Sequence, residues 1–264
     1  MLTLSLIDTN GDLVETRQHS QETYLAYKNR KYSPGEKIVL ETSETPAYVW
    51  VQVDEALAPS LLYLKKNRWE FHIITEGELR RAYSPKIFSG ERHYIRAWLP
   101  AEYEVKAYRN LALNTHDQKD ESGAYPHAHA NVETRNDSTF FALNAIDGMI
   151  ANESHGSFPY QSWGINQKAD AEITIDFGRE ILTDKVAFVL RGDYPHDSYW
   201  TQVTIVFSDG EAIDFNTTNV LSRQFFTFAE KKTTSITLKN LIKHADNAPF
   251  PALTEFEVYG SDAE

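Results

Sequence analysis

The densest mixture of charged and aromatic side chains lies in ten consecutive residues, 191–200, with the sequence RGDYPHDSYW. Proteins bind sugars by stacking aromatic rings on the apolar C–H face of the ring and by pairing side chains with neighbouring hydroxyls. This segment has both resources, since an arginine offers a rigid fork of donors while carboxylates and an imidazole accept. The residues expected to contact a ligand are Arg191, Asp193, His196, Asp197 and Tyr199. Two alternatives stay open: Arg191 and Asp193 form a structural ion pair, and Trp200 is a core residue at the start of a strand.

A second segment, residues 155–166, is interrupted by glycine and proline and therefore must run over the surface. His155 is its best candidate for a ligand contact. Trp163 is a second candidate, and its alternative interpretation is a core position.

A third segment, residues 125–135, suggests different chemistry. His127 and His129 are two apart, and Glu133 follows at the same parity, so an extended chain directs all three to one side. Imidazoles with a carboxylate suit a transition metal, as on a cupin strand, which makes a metal-dependent enzyme acting on a sugar or small polar substrate the alternative function. The competing interpretation is that His127 and Arg135 line the same ligand-binding rim as His196.

Composition excludes several other functions. The chain of 264 residues has no cysteine, so disulfides, thiolate nucleophiles and zinc–thiolate sites are impossible. Its net charge of −12 and scattered basic residues make nucleic acid an unexpected partner.

No apolar run has the length of a membrane span, and the first residues alternate like a strand and not like a signal peptide, so a cytoplasmic location is expected. The sequence predicts no catalytic residues, since neither a phosphate-binding glycine loop nor a Gly-x-Ser-x-Gly elbow occurs.

Short alternating runs separated by turn residues, with almost no helical periodicity, predict an all-β protein of two β-sandwich domains. The first would occupy residues 1–108, a polar linker residues 109–123, and the second residues 124–264. If the chain forms homo-oligomers, the first domain is expected to mediate the contact between copies. The predicted strands are 2–7, 37–41, 48–53, 61–64, 69–73, 93–99, 171–177, 185–191, 200–207, 211–215, 224–228, 235–241 and 253–259.

The second half resembles the discoidin-like, galactose-binding jelly rolls that include the family-32 carbohydrate-binding modules. The resemblance rests on four ordered stretches: NAIDG at 144–148, Trp163 followed by ITIDFG at 173–178, Trp200 leading to FSDG at 207–210, and EFEVYG at 255–260. It implies a jelly roll that binds a carbohydrate through the loops at one end. The first half of the sequence shows no resemblance to a known family.

The same resemblance implies a structural calcium ion. The positions that match its ligands are Asp147, Asn152 and Glu255, and calcium prefers such oxygen donors. Met149 stands where the family often has a second acid, and Asn152 where a threonine is common. In the alternative interpretation, Asp147 caps the turn before Gly148 and Glu255 is a solvated strand residue.

Overall fold

The computed structural model describes residues 1–263, and its first half is built from two antiparallel sheets. One sheet has the order β2-β1-β4-β7 and the other the order β10-β6-β5-β8-β3. The strands are β1 Leu2–Ile7, β2 Leu13–His19, β3 Glu22–Lys28, β4 Lys37–Thr42, β5 Ala47–Gln52, β6 Ser60–Leu64, β7 Arg68–His72, β8 Arg92–Trp98 and β10 Ala124–Tyr125. A 3-10 helix, Glu78–Ala82, precedes β8, and the short helix α1, Glu102–Lys106, follows it.

The second half forms a sheet system with the order β12-β17-β13-β16-β14-β15, to which β11 is added on β13 and β9 on β17. These strands are β9 Arg109–Asn110, β11 His127–Ala130, β12 Trp163–Gly164, β13 Ile173–Leu190, β14 Trp200–Phe207, β15 Ala212–Asn216, β16 Gln224–Lys243 and β17 Ala252–Asp262. Three 3-10 helices, Thr134–Asn136, Ser138–Phe140 and Ala142–Ala145, lie between β11 and β12.

Two long strands bend so that each serves both layers of this second sandwich. The start of β13, residues 173–176, pairs with residues 235–238 of β16 and with β11. After two register shifts, residues 185–188 pair instead with residues 224–227 of β16 and with β17. Such irregularities bend and twist a strand, which lets one strand turn the corner between packed sheets.

Each half has its own apolar core. Side chains at alternate positions, such as Leu2, Leu4 and Leu6 of β1, fill the first core. Trp163, Phe188 and Phe256 are among the largest side chains of the second. The all-β class and the two β-sandwiches expected from the sequence are therefore confirmed.

The predicted strands differ from the observed ones in three ways. The short strands β9, β10, β11 and β12, of two to four residues each, were not expected. Strands β2 and β3 were also not expected. Strand β2 is almost wholly exposed, and its residues, LVETRQH, lack an alternating apolar pattern, whereas β3, ETYLAYK, does alternate in burial and was overlooked. Strands β13 and β16 were each expected as two strands. They are continuous because the residues between the predicted halves, 178–184 and 229–234, stay in the strands, which bend at register shifts instead of ending.

Residues 109–123, expected as a polar linker, are largely irregular in structure, but their centre is buried. Leu111 and Ala112 belong to the second core, whereas Ala124 belongs to the first. Between them, residues 114–117 are buried. The chain thus crosses from one core to the other and back, and its polar residues are satisfied by protein partners instead of water.

Among residues 1–263, the helices are too short and too polar to span a membrane.

Candidate functional site

The segment richest in candidate residues lies at one end of the second sandwich. Leu190 at the end of β13 pairs with Leu253 of β17, and Trp200 at the start of β14 pairs with Lys243 of β16. The loop of residues 191–199 and the loop of residues 244–251 therefore emerge side by side. A backbone hydrogen bond of 3.2 Å from the Phe250 nitrogen to the Pro195 oxygen joins them.

Asn152 attaches a third loop to this end of the sandwich. Its backbone oxygen accepts from the Gly192 nitrogen at 2.9 Å. Its side-chain nitrogen donates to the backbone oxygens of Leu190 and Leu221, at 2.7 and 2.8 Å. The buried side-chain nitrogen of Asn152 thus holds loops together, and the calcium ligation that the resemblance implied for this residue stays a prediction.

Arg191 is not placed to touch a ligand. Its side chain is 0% exposed, and its guanidinium donates to Asp193 Oδ1 through Nη2 at 2.8 Å and Nε at 3.2 Å. Nη1 donates to the backbone oxygen of Tyr160 and, at 3.2 Å, to Ser162 Oγ. Burial lowers the pKa of Arg191, with the nearby charge of Asp193 opposing that shift. Of the two interpretations left open by the sequence, the structure thus supports the ion pair and corrects the expected ligand contact.

Three side chains near Arg191 form a group that we call the His–Asp–His cluster: His155, Asp193 and His196. His155 Nδ1 donates to Asp193 Oδ2, the oxygen that Arg191 leaves free. The two imidazole rings lie 4.7 Å apart between centroids. His196 Nδ1 donates to the Phe250 oxygen at 2.7 Å, since a carbonyl only accepts, so the lone pair of this imidazole is on Nε2. Burial is the main cause that lowers the pKa of His196, which favours the neutral ring.

Aromatic side chains surround the cluster. The rings of Phe140 and Phe250 each lie 6.0 Å from the His196 ring. Tyr194 is 73% exposed, and the guanidinium of Arg135, also exposed, lies 5.7 Å from the Phe140 ring. We call the surface of His155, Asp193, Tyr194, His196 and Phe250 the loop face. Asp197 is exposed in the same loop.

Two other candidates belong to the core. Trp163 is fully buried, and its Nε1 donates to the Val132 oxygen at 2.9 Å. Tyr199 packs against the core and stacks on His244 at 4.8 Å. Trp163 is therefore closed to a ligand, because β12 directs its side chain into the core. Tyr199 is half-buried, and its contact with a ligand stays a prediction.

The alternative metal residues are not brought together. His127 is buried and donates from Nδ1 to Asp117 Oδ1 at 2.8 Å, whereas His129 is exposed. Glu133 is paired with Lys119 at 2.9 Å and accepts from the Ala142 nitrogen at the same distance. The parity argument assumed an extended chain through Glu133, but β11 ends at Ala130. His127 also lies apart from the loop face, since its contacts are with Asp117 and His129.

The remaining calcium candidates, Asp147 and Glu255, form an acidic pair in which Glu255 is fully buried and Asp147 is half-buried. Both oxygens of Glu255 accept from the Gly148 nitrogen at 3.2 Å, and Asp147 Oδ2 accepts from Gln161 Nε2 at 2.6 Å. Burial raises the pKa of Asp147 to about 7. Burial, and then the charge of Asp147, raise the pKa of Glu255 well above its usual range. Asn144 Oδ1 and Gln161 Oε1 are buried without hydrogen-bond partners.

A cavity of about 780 Å³ lies elsewhere, between the two halves of the molecule. Ile74, Tyr83 and Phe141 contribute to its walls. Two of its basic residues are paired with protein carboxylates: Arg68 pairs with Glu41 and Glu70, and Lys119 pairs with Glu133. The candidate residues of the loop face do not line it.

Sequence reasoning missed Phe140 and Asp117. Phe140 follows Ser138 and Thr139 without any apolar periodicity, and only the fold places its ring beside His196. Asp117 lies within the expected linker, where its acidic neighbours suggested solvation. No local signal distinguishes either residue.

No protein-family model matches the chain, and no curated protein matches it. Several solved structures are similar to it. The family 32 carbohydrate-binding module of C. perfringens NanJ, solved with galactose, is 18% identical over 50% of this chain and 91% of its own, with a TM-score of 0.40. Chitosan-binding module 1 from a chitosanase/glucanase of Paenibacillus sp. IK-5 is 20% identical over 58% of this chain and 99% of its own, with a TM-score of 0.39.

The lectin domain of Lectinolysin, solved with the Lewis B antigen, is 16% identical over 58% of this chain and 97% of its own, with a TM-score of 0.42. These likenesses concern the fold. They include modules of the type that the four sequence stretches resemble.

Proposed function

We propose that the protein binds a carbohydrate at the loop face. The observation that carries this proposal is the placement of Asp193: one of its oxygens is held by the buried Arg191, and the other is directed to the exposed His155 beside His196. A carboxylate oriented in this way is a preorganised acceptor for a hydroxyl group. Preorganisation lowers the entropy cost of binding.

The neighbouring groups supply the other requirements of sugar recognition. Tyr194 is 73% exposed and offers a flat surface for the apolar face of a pyranose. The exposed imidazole of His155 donates or accepts according to its tautomer. Arg135 replaces the buried Arg191 as the accessible guanidinium of this region. A shallow surface of this kind implies millimolar to micromolar dissociation constants, or about 4 to 8 kcal/mol of binding free energy.

The test is a screen of monosaccharides and oligosaccharides against tag-free, chelator-treated protein, followed by titration calorimetry on each positive sugar. We expect Tyr194→Ala and His196→Ala to weaken binding at least tenfold. The matched control for the histidine is His129→Ala, because His129 is exposed but has no contact with the loop face. Binding that survives both loop-face substitutions would show that the sugar is held elsewhere, and a screen without any binding would reject the function.

We also propose that Asp147 and Glu255 hold a structural calcium ion. Support comes from the complete burial of Glu255, the repulsion between the two carboxylates and the unpartnered oxygens of Asn144 and Gln161 nearby, which together form an excess of acceptors. A bound cation supplies the missing positive charge, and oxygen-only donors are what calcium prefers. Asn152 is not included, since its side-chain hydrogen bonds are with the loops around Leu190 and Leu221 and not with Asp147 or Glu255.

Thermal unfolding with calcium and with a calcium-selective chelator tests this site. Calcium is expected to raise the Tm of the chelator-treated protein, and Glu255→Gln should abolish that increase while leaving the metal-free protein folded. Asp209→Asn, at an exposed turn, is the control. An equal Tm with calcium and with chelator would contradict the proposal without affecting the sugar site.

A further inference from the structure

The His–Asp–His cluster has a geometry that goes beyond sugar recognition. Within residues 1–263, one group of three histidine or carboxylate side chains brings its ligand atoms within 4.8 Å of one another, and its members are His155, Asp193 and His196. Three ligands around a zinc-type ion, with bonds of about 2.0 to 2.2 Å at tetrahedral angles, are separated by roughly 3.3 Å. The side chain of His155 is 44% exposed and free to make the remaining adjustment by rotation.

We propose that His155, Asp193 and His196 bind a divalent transition-metal ion of the zinc type. Two imidazoles and one carboxylate form a nitrogen and oxygen donor set that suits zinc, copper and nickel better than calcium or magnesium. With three ligands from the protein, further coordination positions remain open to water or to a ligand.

Two outer contacts orient the cluster as metal sites require. The Phe250 oxygen accepts from His196 Nδ1 at 2.7 Å and so leaves the Nε2 lone pair available. Arg191 holds Asp193 Oδ1 through two donors, which leaves Oδ2 for the ion. Backbone carbonyls and charged partners of this kind fix the tautomer and orientation of metal ligands, and their removal typically costs 10- to 100-fold in affinity.

The ion takes the place of a proton. His155 Nδ1 now donates to Asp193 Oδ2. On metal binding, the proton of the neutral imidazole moves from Nδ1 to Nε2. The Nδ1 lone pair and the Oδ2 oxygen then both bind the ion. No redox change and no additional reactant are needed.

The experiment uses the full chain without a histidine tag, stripped with chelator and dialysed. Titration calorimetry with zinc chloride should show one ion per chain, and Co²⁺ should give the visible absorption bands of a site with nitrogen ligands. His155→Ala and His196→Ala are expected to weaken zinc binding at least tenfold each. His155 is exposed, so loss of the fold does not explain its effect; circular dichroism verifies this for both variants.

His129→Ala is the matched control, since it removes an exposed histidine outside the cluster, and it should bind zinc like the unchanged chain. Zinc binding that is absent, or that persists in both His155→Ala and His196→Ala, would overturn the inference. The sugar titrations are made in chelator, and the metal titrations without sugar. Failure of one proposal is therefore distinguishable from failure of the other.

Discussion

Asp193 connects the stable interior of the second sandwich to its surface. One oxygen accepts from Arg191, whose guanidinium is fully buried, and the other accepts from His155, whose side chain is 44% exposed. A buried guanidinium needs a partner for its charge, and the carboxylate supplies it. The same pairing keeps Asp193 in one orientation, so stability and binding at this end of the molecule depend on a single carboxylate.

Replacing Arg191 should therefore primarily affect stability. In Arg191→Ala, the carboxylate of Asp193 loses its cationic partner and keeps only His155. The backbone oxygen of Tyr160 and Ser162 Oγ each lose a donor. Breaking a buried pair by removing one partner costs about 3–5 kcal/mol. Urea unfolding followed by circular dichroism should show a loss of this size in the free energy of unfolding.

Arg135→Ala provides the comparison at the same surface. Its side chain is exposed, so the free energy of unfolding should change by no more than about 0.5 kcal/mol. An Arg191→Ala variant as stable as the unchanged chain, with only its sugar binding reduced, would instead identify Arg191 as a direct ligand contact.

At the scale of elements, the bent strand β13 and its neighbour β17 define the end of the sandwich from which the loops emerge. Their pairing runs from Ile181 and Asp262 to Leu190 and Leu253, with register shifts along the way. Gly260 lies at one such irregular point, opposite Thr183 on one side and Arg109 on the other. The close approach of the backbones there leaves no space for a side chain.

Gly260→Ala should destabilise the second sandwich. A Cβ atom at this position would lie 1.9 Å from the backbone oxygen of Leu182, which cannot rotate away. Overpacking costs typically 1–3 kcal/mol, and this contact with backbone predicts a loss of about 3 kcal/mol. Ser261→Ala, the adjacent residue, is the control for urea unfolding, and equal midpoints for the two variants would show that the strands shift apart without cost.

At the scale of the whole molecule, the buried segment of residues 114–117 joins the two cores. His116 Nε2 accepts from the Val53 nitrogen of the first half at 3.2 Å, and Asp117 Oδ2 accepts from the Ala128 nitrogen of the second half at 2.9 Å. Further contacts cross the same boundary, including Arg81 with Asp137 at 3.1 Å. Separation of the two halves would expose these buried polar groups.

His116 should make the junction sensitive to acid. Burial lowers the pKa of His116 to about 3 from an ordinary value of 6.5. Its stabilising contribution is therefore complete above pH 6.5 and is lost as the pH falls from 6.5 towards 3, because the unfolded chain binds a proton that the folded chain does not. The expected slope is on the order of 1.4 kcal/mol per pH unit.

The measurement is urea unfolding between pH 7 and pH 4 of the unchanged chain and of His116→Gln. Other groups titrate in both proteins, so the readout is the difference between the two curves. His116→Gln should lose less stability on acidification, although it starts from a lower value. Parallel curves would mean that His116 becomes protonated without unfolding.

The sequence by itself determined the class of this protein and the region of its candidate site. Alternating apolar residues specify strands because side chains on a strand point alternately to opposite faces. Segments rich in glycine, proline and polar residues seldom pair regularly, so residues 155–162 and 191–199 were identifiable as loops, whereas the pairing of Trp163 and Gly164 with β17 was not foreseen. The polar and aromatic composition of these loops was also sufficient to suggest a ligand.

Only the tertiary structure decided which polar side chains face solvent. Arg191 and His127 are buried with acidic partners, whereas His155 and Arg135 are exposed, and nothing local in the sequence separates the two pairs. His155 and Asp193 are 38 residues apart, and the pairing of β13, β16 and β17 brings them into contact. Burial and contact of this kind arise from long-range packing, which short-range residue patterns do not encode.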